Sequence, residues 1–249
     1  MKSLAMQQGN FIRFYMPQIF ANELPEEERP KQYLYLDCDI LVVEDPRKLS
    51  NEISSRMGIE NRICLAAANN PSTSKTRWGG KKILRSLGIQ IDHFHGWNAG
   101  VLFIDSECWQ KSRALERVLF WLRYHKNERI FDRGRVGSQA PLYFTFYPSN
   151  ITLSPRPEAK EKGFPEPWPY LGFEHKWNKK PKTKQIIKDS AIIHFAGGTK
   201  PWGRKSHVLH RLIFRPFAVM PLPYDENLNL LGEDRSKEEE EEEEEEDNL

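Results

Sequence analysis

Two carboxylates break an otherwise apolar run of strand-forming residues, Tyr33-Leu34-Tyr35-Leu36-Asp37-Cys38-Asp39-Ile40-Leu41-Val42-Val43, which Pro46 closes. β-Branched and aromatic residues at this density predict a buried strand that pauses at the two acids. Side chains alternate along a strand, so Asp37 and Asp39, two residues apart, point the same way. Two ionised carboxylates on one face of a buried strand are costly unless something cationic compensates them. A divalent metal does so, with oxygen ligands at about 2.0–2.2 Å for a magnesium-sized ion and positions left open for phosphates. Acidic pairs at strand ends also cap turns or bind arginine, so the motif alone leaves the metal as one reading among several.

The surrounding sequence predicts an α/β fold. Residues 63–69 (ICLAAAN) and 97–105 (WNAGVLFID) read as two further buried strands, and 190–198 (SAIIHFAGG) as a short strand ending in a glycine turn. Residues 11–20 (FIRFYMPQIF) read as an amphipathic helix interrupted or ended near Pro17. Helical spacing runs from Ser106 to Tyr124, with Trp109, Val118, Leu119 and Leu122 on recurring positions, and a last helix is expected over 206–217. Residues 70–82 form a polar loop, and Pro148 to Lys182, rich in Pro, Trp and Gly, is expected to be long irregular loops that wall a site. Strands alternating with helices imply a largely parallel sheet.

The chain of 249 residues is long enough for one sizeable α/β domain, here placed at 1–225. No apolar stretch approaches the roughly 18–20 residues that cross a bilayer, and the first residues lack the apolar core of a signal peptide. Residues 226–249 contain an unbroken run from Glu238 to Glu246 followed by Asp247; such a block repels itself and is expected to be disordered. Without these ten carboxylates the net charge of +2 becomes about +12. A basic body suits a polyanion, either a nucleotide phosphate or nucleic acid. The three cysteines are far apart and show no CxxC spacing, so no disulfide framework is readable; Cys38 and Cys64 read as packing residues.

A second motif lies in His194-Phe195-Ala196-Gly197-Gly198-Thr199-Lys200-Pro201-Trp202. A histidine at a strand end supplies an imidazole ligand, the glycines admit close backbone approach, and Lys200 is a point charge suited to phosphate. On its own the segment reads first as a core histidine before an ordinary glycine turn; beside Asp37 and Asp39 it reads as part of the same site. Asp105 and Ser106 read as a cap for the helix that follows.

The D-x-D strand, the Asn-Ala-Gly strand start and the H-x-x-G-x-x-K-P-W segment, in this order, resemble glycosyltransferase family 8, over about Asn10 to Trp202. The resemblance implies a glycosyltransferase A type fold, with a Rossmann-like, mostly parallel sheet flanked by helices. It implies that Asp37, Asp39 and His194 ligate Mn²⁺ (or Mg²⁺), and that Gly197 and Lys200 serve the diphosphate of a UDP-sugar. Arg13 matches an arginine near the donor, Asn98 an asparagine that contacts the donor sugar, and Gln139 a glutamine near the reacting carbon. The implied activity is retaining transfer of a hexosyl or hexuronosyl group to a glycan or other hydroxyl acceptor; no nucleic acid partner is expected. The sequence itself shows no compartment; the resemblance implies the Golgi or secretory lumen for a eukaryotic chain and the cytoplasm otherwise.

Two departures stand out. Ser138 and Ala140 flank Gln139 where many members carry aspartates, which resembles the plant galacturonosyltransferase-like variant. The metal motif begins at residue 37, so the family's first nucleotide-binding strand is expected to be missing, as in an N-terminally truncated member. Rival readings are a transferase fold without turnover and a haloacid-dehalogenase-type phosphohydrolase. The latter lacks a later acidic pair for magnesium and gives the His194 to Trp202 segment no role.

Overall fold

The computed structural model describes residues 8–70, 81–89, 96–131, 137–149, 153, 155–182, 184–219, 222–224 and 226–227. The acidic run and most of the expected 70–82 loop lie outside the described residues. In chain order the elements are α1 (Ile12–Glu23), β1 (Gln32–Leu36), β2 (Ile40–Val42), α2 (Arg47–Ile53), β3 (Leu65–Asn70), α3 (Lys81–Ser86) and β4 (Gly96–Asp105). They continue with α4 (Ser106–Lys111), α5 (Ala114–Glu128), α6 (Gln139–Thr145), β5 (Phe146–Pro148), α7 (Pro157–Glu161), β6 (Trp168–Phe173), α8 (Lys184–Lys188), β7 (Ile192–His194) and α9 (Val208–Phe214).

Five strands form one sheet in the order β1-β4-β3-β6-β5, and β2 pairs with β7 in a second. The sheet is mixed, not largely parallel: β4 runs antiparallel to β1 and β3, while β6 runs parallel to β3 and β5. Alternation of strands and helices does not fix strand direction. Direction is set by which strands pair, and β4 returns antiparallel alongside β3 and β1.

Alternate residues feed two cores. Ala67, Leu102 and Ile104 join the larger, with Phe14, Trp109, Trp121 and Phe144 from the helices. Ala66, Ala68, Val101 and Phe103 join the other, with Leu49, Ile53, Trp177 and Ile192. The sheet is therefore covered on both faces, as its near-continuous apolar strands require.

Several sequence expectations are corrected here. The Tyr33–Val43 run is two strands in two sheets, with the chain turning through Asp37–Asp39. Helix α1 passes through Pro17 without ending; Phe14 and Pro17 are buried and Gln110 Nε2 donates to the Pro17 carbonyl. The helical stretch after β4 divides at Arg113, whose φ is +56°. The 148–182 segment contains the interior strand β6, hidden by Pro169 and Gly172, residues that ordinarily argue against a strand. At Gly172 a Cβ would stand 2.6 Å from Asn69 Oδ1, so a larger residue there would displace the Asn69 side chain.

The cysteines also differ from expectation. Cys38 is exposed and free, while the buried Cys64 and Cys108 form a disulfide across a separation of 44 residues. The β3–β4 pairing carries them together, since Asp105 N–H donates to Cys64 O and Asp105 also caps α4 through Cys108 N–H at 2.8 Å.

Candidate functional site

The site forms where the β1–β2 turn, the end of β7 and an irregular part of β4 meet. Backbone bonds lace the turn on both sides: Asp37 N–H donates to Gly100 O (2.8 Å) and Phe195 N–H to Asp39 O (2.9 Å). Ile40 pairs with His194. These contacts bring Asp37, Asp39 and His194 together, with one ligand atom of each within 4.8 Å of the others. His194 Nε2 lies 3.2 Å from Asp39 Oδ1 and 3.9 Å from Asp37 Oδ2. Among the described residues this is the group of His, Cys and acids that could hold a metal ion.

The space inside the group is kept open by Gly100. A Cβ there would collide with His194 Cε1 and lie 2.9 Å from both Asp37 Oδ2 and Asn98 Oδ1. Two carboxylates and an imidazole around a cradle that even a methyl group would fill suit a divalent cation. The donor set therefore fits the divalent ion that the family resemblance implies.

Cations already balance both acids. Arg13, 3% exposed, donates from Nη2 to Asp37 Oδ1 at 2.8 Å and lies over the Tyr35 ring, whose hydroxyl donates to the same oxygen at 3.0 Å. Lys200 Nζ donates to Asp39 Oδ2 and to Phe195 O. Burial alone would raise the Asp39 pKa, but the bonds and charges of His194 and Lys200 outweigh it and hold the group at about 2.

On β4, Ala67 pairs with Leu102 but Asn69 pairs with Trp97, so the four residues 98–101 stand against Ala68 alone on that edge. Buried backbone groups need partners, and side chains provide them here. Gln139 Oε1 accepts from Ala99 N–H (3.0 Å), while its Nε2 donates to Trp97 O (3.0 Å) and the Tyr143 hydroxyl (2.7 Å). Arg13 Nη1 donates to Ala99 O, and Asn98 Oδ1 accepts from Gly100 N–H at 2.8 Å.

Of the residues singled out in the sequence, Asp37, Asp39, His194, Lys200, Arg13 and Asn98 thus converge. Gln139 stands behind β4 with its amide engaged on the strand backbone. Gly197 adopts φ +117°, a conformation that favours glycine, in the turn after β7. Trp202 is half-buried against Phe214, with ring centroids 5.3 Å apart.

The sequence model of glycosyl transferase family 8 matches residues 2–206. The chain belongs to glycosyltransferase family 8. Glycosyltransferase 8 domain-containing protein 1 of Danio rerio is 23% identical over 209 residues, 79% of this chain and 52% of that protein. General stress protein A of Bacillus subtilis is 25% identical over 201 residues, 80% of this chain and 62% of that protein. The chain therefore spans about half to three-fifths of the length of these relatives. In fold it is similar to the galactosyltransferase LgtC, solved with donor and acceptor sugar analogues, at a TM-score of 0.50 and 16% identity over 86% of this chain and 68% of that one. That likeness supports an α/β fold of the glycosyltransferase A kind.

Three neighbours of this family 8 site were not legible as such. Tyr35 read as an apolar strand residue, Tyr143 was given no role, and Asn178 lay in the stretch expected to be irregular. Asn178 Oδ1 sits 2.8 Å from His194 Nδ1, and its Nδ2 donates to Asn98 O at 3.2 Å. No local pattern announces such a residue, because its partners lie 16 and 80 positions away.

Proposed function

We propose that this family 8 chain is a metal-dependent retaining glycosyltransferase that moves a hexosyl or hexuronosyl group from a UDP-sugar to a hydroxyl acceptor. The observation that carries the reading is the Asp37, Asp39 and His194 group around the space above Gly100, with Lys200 at its rim. Asp37, Asp39 and His194 would hold Mn²⁺ or Mg²⁺, which as a Lewis acid would stabilise charge on the departing nucleotide diphosphate.

The chain's own residues supply the rest. Lys200, 29% exposed at its side chain, reaches from the metal group towards solvent and offers its ammonium to a diphosphate. Gly197 lets the backbone after His194 come close to the phosphates. Arg13, locked between Asp37 and Ala99 O, sets where the donor meets β4. Asn98 is assigned to the donor sugar. The residues beside Gln139 are Ser138 and Ala140, so no carboxylate nucleophile stands there, and departure and attack on the same face of the sugar is the preferred course.

The test is Mn²⁺-dependent hydrolysis of UDP-glucose, UDP-galactose and UDP-galacturonate by the purified chain, with UDP binding followed by calorimetry. Turnover that EDTA abolishes and Mn²⁺ restores is expected, and a trapped glycosyl-enzyme would overturn the same-face course. A fold without turnover is favoured by Ser138 and Ala140 standing where many members carry aspartates, and by the full engagement of the Gln139 amide on β4. It predicts neither hydrolysis nor UDP binding in the same assay.

A further inference from the structure

The group that orients His194 lies outside every motif. Asn178 closes a 3-10 turn, His175–Asn178, and is 5% exposed. Its carboxamide has only one consistent orientation. The Asn98 carbonyl can only accept, so the amide atom facing it at 3.2 Å is the Nδ2 donor. Oδ1 therefore faces His194 Nδ1 at 2.8 Å, and an oxygen there requires a proton on Nδ1. In the neutral ring this leaves the lone pair on Nε2, the nitrogen that faces Asp37 and Asp39.

The backbone makes this arrangement rigid. Ala191 N–H donates to Lys176 O, Lys179 N–H to Ile192 O and His194 N–H to Lys179 O, at 2.8–3.1 Å. The turn that carries Asn178 is thus stitched along β7, and the fully buried Trp177 anchors it in the smaller core. Asn178 also spans two parts of the site that no backbone bond joins among the described residues, the imidazole on β7 and the carbonyl of Asn98 on β4.

We propose that Asn178 is a positioning residue: it fixes the ring of His194 with Nε2 free for the metal, and it ties that ring to the Asn98 stretch of β4. This rests on the reading of Asp37, Asp39 and His194 as metal ligands. Groups that hold the second nitrogen of a ligating histidine set its tautomer, and their loss typically costs about 10–100-fold in metal affinity.

The experiment titrates the full chain with Mn²⁺ and follows free Mn²⁺ by electron paramagnetic resonance, with circular dichroism to confirm folding. Asn178→Leu, of similar size, removes both bonds; its Mn²⁺ dissociation constant is expected to rise roughly 10–100-fold. Asn178→Asp keeps an acceptor for Nδ1 but turns a second acceptor on the Asn98 carbonyl. It is expected to hold Mn²⁺ within about threefold of wild type while turnover of UDP-sugar falls at least about tenfold, the two roles separated. A merely structural asparagine would not give this split.

Folded Asn178→Leu with wild-type Mn²⁺ affinity overturns the proposal. So does Asn178→Asp with Mn²⁺ affinity as weak as the leucine variant should show, and this second variant decides the matter if the first does not fold. A wild-type chain that holds no Mn²⁺ overturns the metal reading itself, and is seen before any variant is made.

Discussion

Lys200 Nζ donates to Asp39 Oδ2 across 161 residues of sequence. The lysine that the sequence assigns to phosphate is thus also the counter-ion of a candidate metal ligand. A bound cation and the Lys200 ammonium repel each other around one carboxylate, whereas a diphosphate attracts both. Arg13 plays the corresponding part at Asp37, so each acid has a cationic partner within the chain itself.

Lys200→Met separates these roles. Mn²⁺ binding without nucleotide is expected to tighten several-fold, because a competing charge is removed from Asp39. UDP binding in saturating Mn²⁺ is expected to weaken by about tenfold or more, the order of one charge-assisted contact. Electron paramagnetic resonance and calorimetry read the two constants. A loss of Mn²⁺ affinity would contradict the competition.

Gly100→Ala tests the open space directly. The added methyl collides with the His194 ring and crowds Asp37, and β4 is held too firmly by Gln139, Arg13 and Tyr143 to withdraw. Overpacking of this kind costs about 1–3 kcal/mol of stability. Mn²⁺ binding is expected to fall by more than about tenfold on the scale of lost ligand positioning. Unchanged stability and affinity would mean that the site is more plastic than its geometry.

Stability should fall as the medium is acidified below pH about 6.5, the ordinary histidine value. Burial lowers the pKa of His125, and its Nδ1 accepts the Phe131 N–H at 3.1 Å, which requires the neutral ring. Burial also lowers His175, reinforced by Lys179, and His210, where the bond to Pro181 O offsets part of the shift. Below the ordinary value the unfolded chain takes up protons that the folded chain refuses, so stability rises with pH through this window. Urea midpoints at pH 7.5 and 5.5 should show the drop, and His125→Gln should shrink it. Asp39 acts lower on the scale: its contribution is complete above 3.8 and is lost as pH falls through about 2.

Reduction of Cys64–Cys108 should destabilise the chain by about 2–4 kcal/mol, the usual effect of a bridge closing a loop of this length. Thermal unfolding with and without dithiothreitol, and of the double serine variant, reads the change. Alkylation of the denatured, unreduced chain should add a single label, at Cys38, and three labels after reduction. Three labels without reductant would show that the bridge does not form.

The sequence by itself determined which residues make up the candidate ligand set, and much of the strand–helix composition. Two acids in an apolar run, and a histidine ahead of Gly-Gly-Thr-Lys-Pro-Trp, carry their chemistry in local residue type and order. Those local signals also placed β3, β4 and the Asp105 cap correctly to within one or two residues. What they could not hold is anything set by pairing between distant segments. Strand direction, the β6 strand hidden behind Pro169 and Gly172, and the Cys64–Cys108 bridge arise from contacts that no sequence period encodes. The same is true of the site's support. Asp37 and Asp39 do not share a strand face, as alternation predicted; they converge because the chain turns between two sheets and is bonded to β4 on one side and Phe195 on the other. Only the tertiary structure decided that Lys200 sits on Asp39, that Gln139 holds the β4 backbone and that Asn178 orients His194, because each of those bonds closes a long loop whose partners have no local reason to meet.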